Sequence, residues 1–87
     1  MSKAGSNPVN VMFFATLRSL TGTRRAEIDL SPDASVADLK AAVAERFPDA
    51  APALDGILVS INHNYADETE TIPPGAEVAL FPPVSGG

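Results

Sequence analysis

Residues 26–48 read AEIDLSPDASVADLKAAVAERFP, and the period of their apolar positions changes part-way along. Ala26, Ile28 and Leu30 alternate with Arg25, Glu27 and Asp29, the period-two pattern of a strand with one buried face. Ser31-Pro32-Asp33 breaks that pattern. Ser35 then stands at a helix N-cap position with Asp38 three residues on, as in a capping box. Val36, Leu39, Val43 and Phe47 fall on one stripe at i, i+3, i+7 and i+11, which predicts a helix over residues 36–47 that Pro48 ends. A half-buried strand leading into one amphipathic helix is the unit around which the rest of the chain must be arranged.

Upstream, residues 9–15 (VNVMFFA) are rich in β-formers and predict an opening strand. Val9, Val11, Phe13 and Ala15 share one face of it; Asn10, Met12 and Phe14 share the other. Residues 16–25 (TLRSLTGTRR) are mixed: Leu17 and Leu20 lie one helical turn apart, and Thr21-Gly22-Thr23 marks a turn. Beyond Pro48, a connection rich in Ala, Pro and Asp leads to a third strand at residues 57–62 (ILVSIN), with Ile57, Val59 and Ile61 on one face. Asn62-His63-Asn64 predicts a turn, residues 65–72 leave room for a short edge strand, and Pro73-Pro74-Gly75 predicts a second turn. Residues 77–81 (EVALF) form the last strand, with Val78 and Leu80 opposite Glu77, Ala79 and Phe81.

One helix covers one face of a four- or five-stranded sheet, which predicts a two-layer α+β domain. A hairpin, a crossover helix and a mixed sheet make the ubiquitin-like β-grasp arrangement, with the first and last strands as central neighbours. Residues 1–8 are then expected to be a disordered lead, residues 9–81 the domain, and residues 82–87 a flexible tail.

Composition narrows the chemistry. The 87 residues suit one domain, and a chain this short buries roughly 60–65% of its unfolded surface. The absence of cysteine excludes disulfides, thiolate metal sites and a cysteine nucleophile. A net charge of −5 argues against nucleic acid or an anionic membrane as partner. No apolar run approaches the roughly 20 residues that span a bilayer. Residues 1–8 (MSKAGSNP) lack the apolar segment of a signal peptide, so a soluble, cytoplasmic protein is expected. His63 reads as a surface residue. Asp67, Glu68 and Glu70 are too irregularly spaced for a calcium loop and read as a solvated edge. Gly22 has no phosphate-loop context, and nothing resembles a nucleophile–base pair. No metal and no bound cofactor are expected.

The end of the sequence, FPPVSGG (residues 81–87), has the sharpest chemical content. If Val9, Val11 and Phe13 face the helix, Met12 and Phe14 face away. A solvated Glu77 turns Ala79 and Phe81 the same way. On adjacent strands these four side chains form an exposed apolar patch at the root of the tail, as partner surfaces do. The alternatives are that the Leu17–Leu20 segment covers that face, or that these are scattered surface hydrophobics. Pro82 and Pro83 favour an extended rod, Val84 and Ser85 continue it, and Gly86 and Gly87 lack the Cβ that would stop them threading a narrow channel. The six residues reach at most about 20 Å. The combination fits a Gly87 carboxylate delivered into another protein's active site, against the plainer reading of a frayed end.

VMFFATLRSLTG (residues 11–22) and GAEVALFPPVSGG (residues 75–87) resemble the MoaD/ThiS family of ubiquitin-like β-grasp sulfur carriers, and most nearly its MoaD-type members, the small subunits of molybdopterin synthase. The likeness covers residues 9–87. Family members often carry Gly-Asp where this chain has Gly75-Ala76. Thiamin sulfur carriers share the Gly-Gly end but generally lack the opening carried here by Phe13, Phe14, Ala15 and Arg18.

The resemblance implies a sulfur-carrying cycle. An E1-like adenylating enzyme uses ATP to activate the Gly87 carboxylate, a persulfide sulfur donor converts it to a thiocarboxylate, and the tail enters the large synthase subunit. There the sulfur passes to cyclic pyranopterin monophosphate during molybdenum cofactor biosynthesis. Gly86 and Gly87 are then carrier residues. Met12, Phe14, Ala79, Phe81, Pro82, Pro83, Val84 and Ser85 are the partner-binding set, and the catalytic groups belong to the large subunit. Three other readings stand beside this one: a carrier for thiamin or another sulfur pathway, a ubiquitin-like modifier of lysines, and an interaction domain with an inert tail.

Overall fold

The computed structural model describes residues 7–82. Residues 1–6 of the lead expected at residues 1–8, and the tail residues Pro83, Val84, Ser85, Gly86 and Gly87, lie outside that range, while Asn7 and Pro8 belong to the first strand. The elements run β1 (Asn7–Phe13), α1 (Thr16–Thr21), β2 (Arg25–Leu30), α2 (Val36–Arg46), a 3₁₀ helix (Pro48–Leu54), β3 (Leu58–Ile61), β4 (Asn64–Ala66) and β5 (Glu77–Phe81). They form one five-stranded sheet in the order β2-β1-β5-β3-β4. β1 and β5 are central and parallel, and their neighbours are antiparallel. This is the β-grasp topology with one main helix on one face.

Strand alternation builds the core. Val9, Val11 and Phe13 of β1, Ile28 and Leu30 of β2, Val59 of β3, and Val78 and Leu80 of β5 are buried beneath Val36, Leu39 and Val43 of α2. The capping box sets the start of α2. Ser35 Oγ accepts from Asp38 N at 3.3 Å, and Asp38 Oδ2 accepts from Ser35 N at 3.0 Å. Such a cap contributes about 1 kcal/mol.

Several boundaries differ from the sequence expectation, each for a local reason. β1 begins at Asn7, two residues before Val9, because Asn7 and Pro8 pair with Leu30 and Asp29. It ends at Phe13 and not at Ala15: Ala15 has φ 56°, which turns the chain into α1. α2 stops at Arg46, one residue short of Phe47. The Pro48 ring disfavours a helical residue before it, and Phe47 adopts φ −128°, ψ 78°. Phe47 still packs edge-on against Phe13, with ring centroids 5.5 Å apart. The connection after it is a 3₁₀ helix with Pro48 at its start and Ala50 and Leu54 buried.

β3 is shorter than residues 57–62 because Asn62 and His63 both take positive φ, 50° and 74°. That pair is the turn, and Asn64 already belongs to the next strand. Two left-handed residues match the twist of a two-residue hairpin, so the short edge strand lies at Asn64–Ala66, at the start of the polar segment. Among the described residues no helix is long and apolar enough to cross a membrane.

Candidate functional site

The face of the sheet turned away from α2 is built by the same alternation that fills the core. Strand register places Arg25 opposite Met12, Met12 beside Ala79, Ala79 opposite Ser60, and Ser60 opposite Tyr65. One row of side chains therefore crosses all five strands. Nearer the tail, Phe81 pairs with Leu58, and Phe14 N donates to Leu80 O at 3.2 Å. Phe81 is the hub. Its ring meets Phe14 at 6.1 Å, edge to face, and Tyr65 at 5.8 Å. Pairs of this kind add roughly 0.5–1.5 kcal/mol beyond burial.

Met12, Phe14, Ala79 and Phe81 thus share one patch. Phe14 and Tyr65 are 42% and 72% exposed, which leaves large apolar area facing water. Leu17 does not cover it. Leu17 is fully buried on the other side, where α1 packs against the 3₁₀ helix and β1, and Leu20 is exposed. Pro82, half-buried, is the last described residue and leaves directly from the patch. Tyr65 and Leu58 belong to the patch but were not singled out by sequence. The two-residue turn at Asn62-His63 is the signal that fixes Tyr65 there, because it sets the β3–β4 register.

Charges divide the same face. Arg18, Arg24 and Arg25 line a cleft of about 300 Å³ with Met12, Phe13 and Phe14 at the end where the tail leaves. Glu27 and Glu77, both aligned with Asn10, lie only two residues further along the strands on the same face. His63 is exposed, with Nε2 3.7 Å from Glu77 Oε1. The three carboxylates of the β4–β5 connection each have a separate local contact. Asp67 Oδ1 accepts from the Thr69 hydroxyl at 2.8 Å and from Thr69 N at 3.1 Å, which holds its carboxyl below the usual range. Glu68 pairs with Lys40 at 2.7 Å, and Glu70 accepts from Asp67 N at 3.1 Å. Among the described residues no cluster of three or more His, Asp or Glu is placed to hold a metal ion. A larger hollow of about 680 Å³ between β2 and α2, toward the Leu30 end of β2, is shallow and lined by alanines, Asp29, Asp38 and Glu45.

The ThiS family model matches residues 11–87, from the middle of β1 to the last glycine. The chain belongs to the ThiS family. The molybdopterin synthase sulfur carrier subunit of Drosophila yakuba is 34% identical over 82 residues, covering 91% of this chain and 90% of that one. The small archaeal modifier protein 1 of Haloferax volcanii is 37% identical over 82 residues, covering 85% and 94%. The crystal structure of SAMP1 from Haloferax volcanii superposes with a TM-score of 0.80 at 33% identity, covering 92% of this chain and 99% of that one. This ThiS-family chain therefore has relatives in a synthase subunit and in a modifier, on one ubiquitin-like β-grasp fold.

Proposed function

We propose that this chain is the sulfur-carrier subunit of molybdopterin synthase, with Gly87 as the carrier. The reading rests on relatives of that name aligned over nine-tenths of the chain, and the open apolar face at the root of the tail supports it. A carboxylate is a poor electrophile. An E1-like enzyme therefore attaches AMP from ATP, with pyrophosphate leaving. The outer sulfur of a persulfide donor then displaces AMP to give an acyl disulfide, and a thiol cleaves its S–S bond, leaving a thiocarboxylate on the chain and a disulfide on the donor side. The thiocarboxylate is a good sulfur nucleophile, and tethering raises its effective concentration in the partner's site. The large subunit supplies the catalytic groups and binds cyclic pyranopterin monophosphate, and two transfers build the dithiolene. The cycle takes place in the cytoplasm, and ATP belongs to the activating enzyme.

Met12, Phe14, Ala79, Phe81 and Pro82 form the docking face, and Pro83, Val84 and Ser85 carry Gly86 and Gly87 into the channel. Phe81→Ala removes the hub of the patch but no core residue. It is expected to weaken binding to the large subunit by about 2 kcal/mol or more, as a buried aromatic anchor does, and to lower Tm through the lost ring pairs by less than Phe13→Ala does. Calorimetric titration measures the first and a thermal melt the second. Unchanged affinity would remove the docking role.

The relative named as an archaeal modifier favours a second reading, conjugation to lysines through Gly87. Expression in strains lacking their own carriers separates the cases. Restored molybdenum cofactor supports the first reading, restored thiamin synthesis supports a different sulfur pathway, and conjugates that survive denaturing gels support the modifier.

A further inference from the structure

Three of the six Lys and Arg residues of this acidic chain stand together. Arg18 lies on α1, and Gly22 ends that helix with φ 76°, its N–H donating to Arg18 O at 2.9 Å. The left-handed turn brings Arg24 and Arg25 back beside the end of β1, where Arg24 O accepts from Phe13 N at 2.8 Å. All three arginines are exposed, and neither ion pair among the described residues includes them. With Met12 and Phe14 they make a cleft whose floor is apolar and whose rim is cationic.

We propose that this cleft receives a carboxylate-bearing segment of the protein that docks on the apolar face. For the partner's identity, this rests on the reading of the large synthase subunit given above. The segment sets an apolar side chain against Met12 and Phe14 and its carboxylates against Arg24 and Arg25, because guanidinium groups take carboxylates two-pronged. Glu27 and Glu77, two residues further along the strands from Arg25 and Ala79, repel the same segment, so its carboxylates are held to the Arg24–Arg25 side of the face. A uniformly apolar patch would leave the partner free to rotate. The charge division fixes the direction in which the tail must leave.

The test is titration calorimetry and stopped-flow association with the purified large subunit. It compares wild type, Arg24→Glu/Arg25→Glu, Arg24→Lys/Arg25→Lys and Phe81→Ala, each checked by thermal melt. At low ionic strength the charge reversal is expected to weaken binding by about 10-fold or more, mostly through slower association. The gap should narrow in high salt, where screening shortens the Debye length to about 3 Å at 1 M. The lysine pair should keep most of the affinity. If wild type binds and Phe81→Ala weakens it, but the reversal leaves affinity unchanged or raises it, the inference fails alone. If wild type does not bind the large subunit, the proposed function fails and takes this inference with it.

Discussion

A chain extended by one alanine beyond Gly87 is expected to lose thiocarboxylate formation altogether while keeping the wild-type Tm. The reacting group in the proposed cycle is the Gly87 carboxylate itself. An added residue converts it to an amide, moves the new carboxylate on by about 3.3–3.6 Å, and puts a methyl group where a bare glycine threads. Stability should not follow, because the buried core of the described residues runs from Val9 to Leu80. Intact mass after incubation with activating enzyme, ATP and a sulfur donor reads the first effect, and a thermal melt reads the second. Sulfur gained at wild-type rate by the extended chain would place the chemistry elsewhere.

Phe13→Ala is expected to cost about 3–5 kcal/mol, the usual range for a buried phenylalanine. At roughly 0.05–0.15 kcal/mol per residue a domain of this size has about 4–13 kcal/mol in total, so the loss is a large fraction of it. Phe13 is 2% exposed, packs edge-on against Phe47, and sits on β1 opposite Leu80 of β5. Its loss opens a cavity where the two central strands meet α2. Partner binding should fall with it, since Met12 and Phe14 flank the same backbone. Phe14→Ala, one residue on but facing water, should change stability by less than about 1 kcal/mol. Urea midpoints of the two variants measure the contrast. Equal midpoints would contradict the assignment of faces.

That pair of neighbours also shows what the sequence makes legible. Strict alternation in Val9, Val11 and Phe13, and again in Val78 and Leu80, sets the faces of β1 and β5 and so predicts the open patch. Ser35, Asp38 and Pro48 mark the start and stop of α2 to within one residue, because capping and proline chemistry are local. In the sequence, the 3₁₀ helix shows only as a connection. It buries just Ala50 and Leu54, too few positions to show a period. Tyr65 joined the patch only in three dimensions. Its segment is polar, and its place depends on two positive-φ residues, Asn62 and His63, that are not glycines. In sequence, Arg18 and the Arg24–Arg25 pair belong to a mixed segment, and a left-handed Gly22 brings them to one cleft. What stayed hidden was set by register and by backbone reversal, which no single window of sequence contains.

Sulfur carriage at Gly87 is tested most directly by intact mass spectrometry of the wild-type chain, followed by transfer. After incubation with an E1-like enzyme, ATP and a persulfide donor, one oxygen at the C-terminus should be replaced by one sulfur. Mixing with the large subunit and cyclic pyranopterin monophosphate should return the chain to its original mass as dithiolene forms. An unchanged mass, with the same enzymes loading another carrier in parallel, would contradict it.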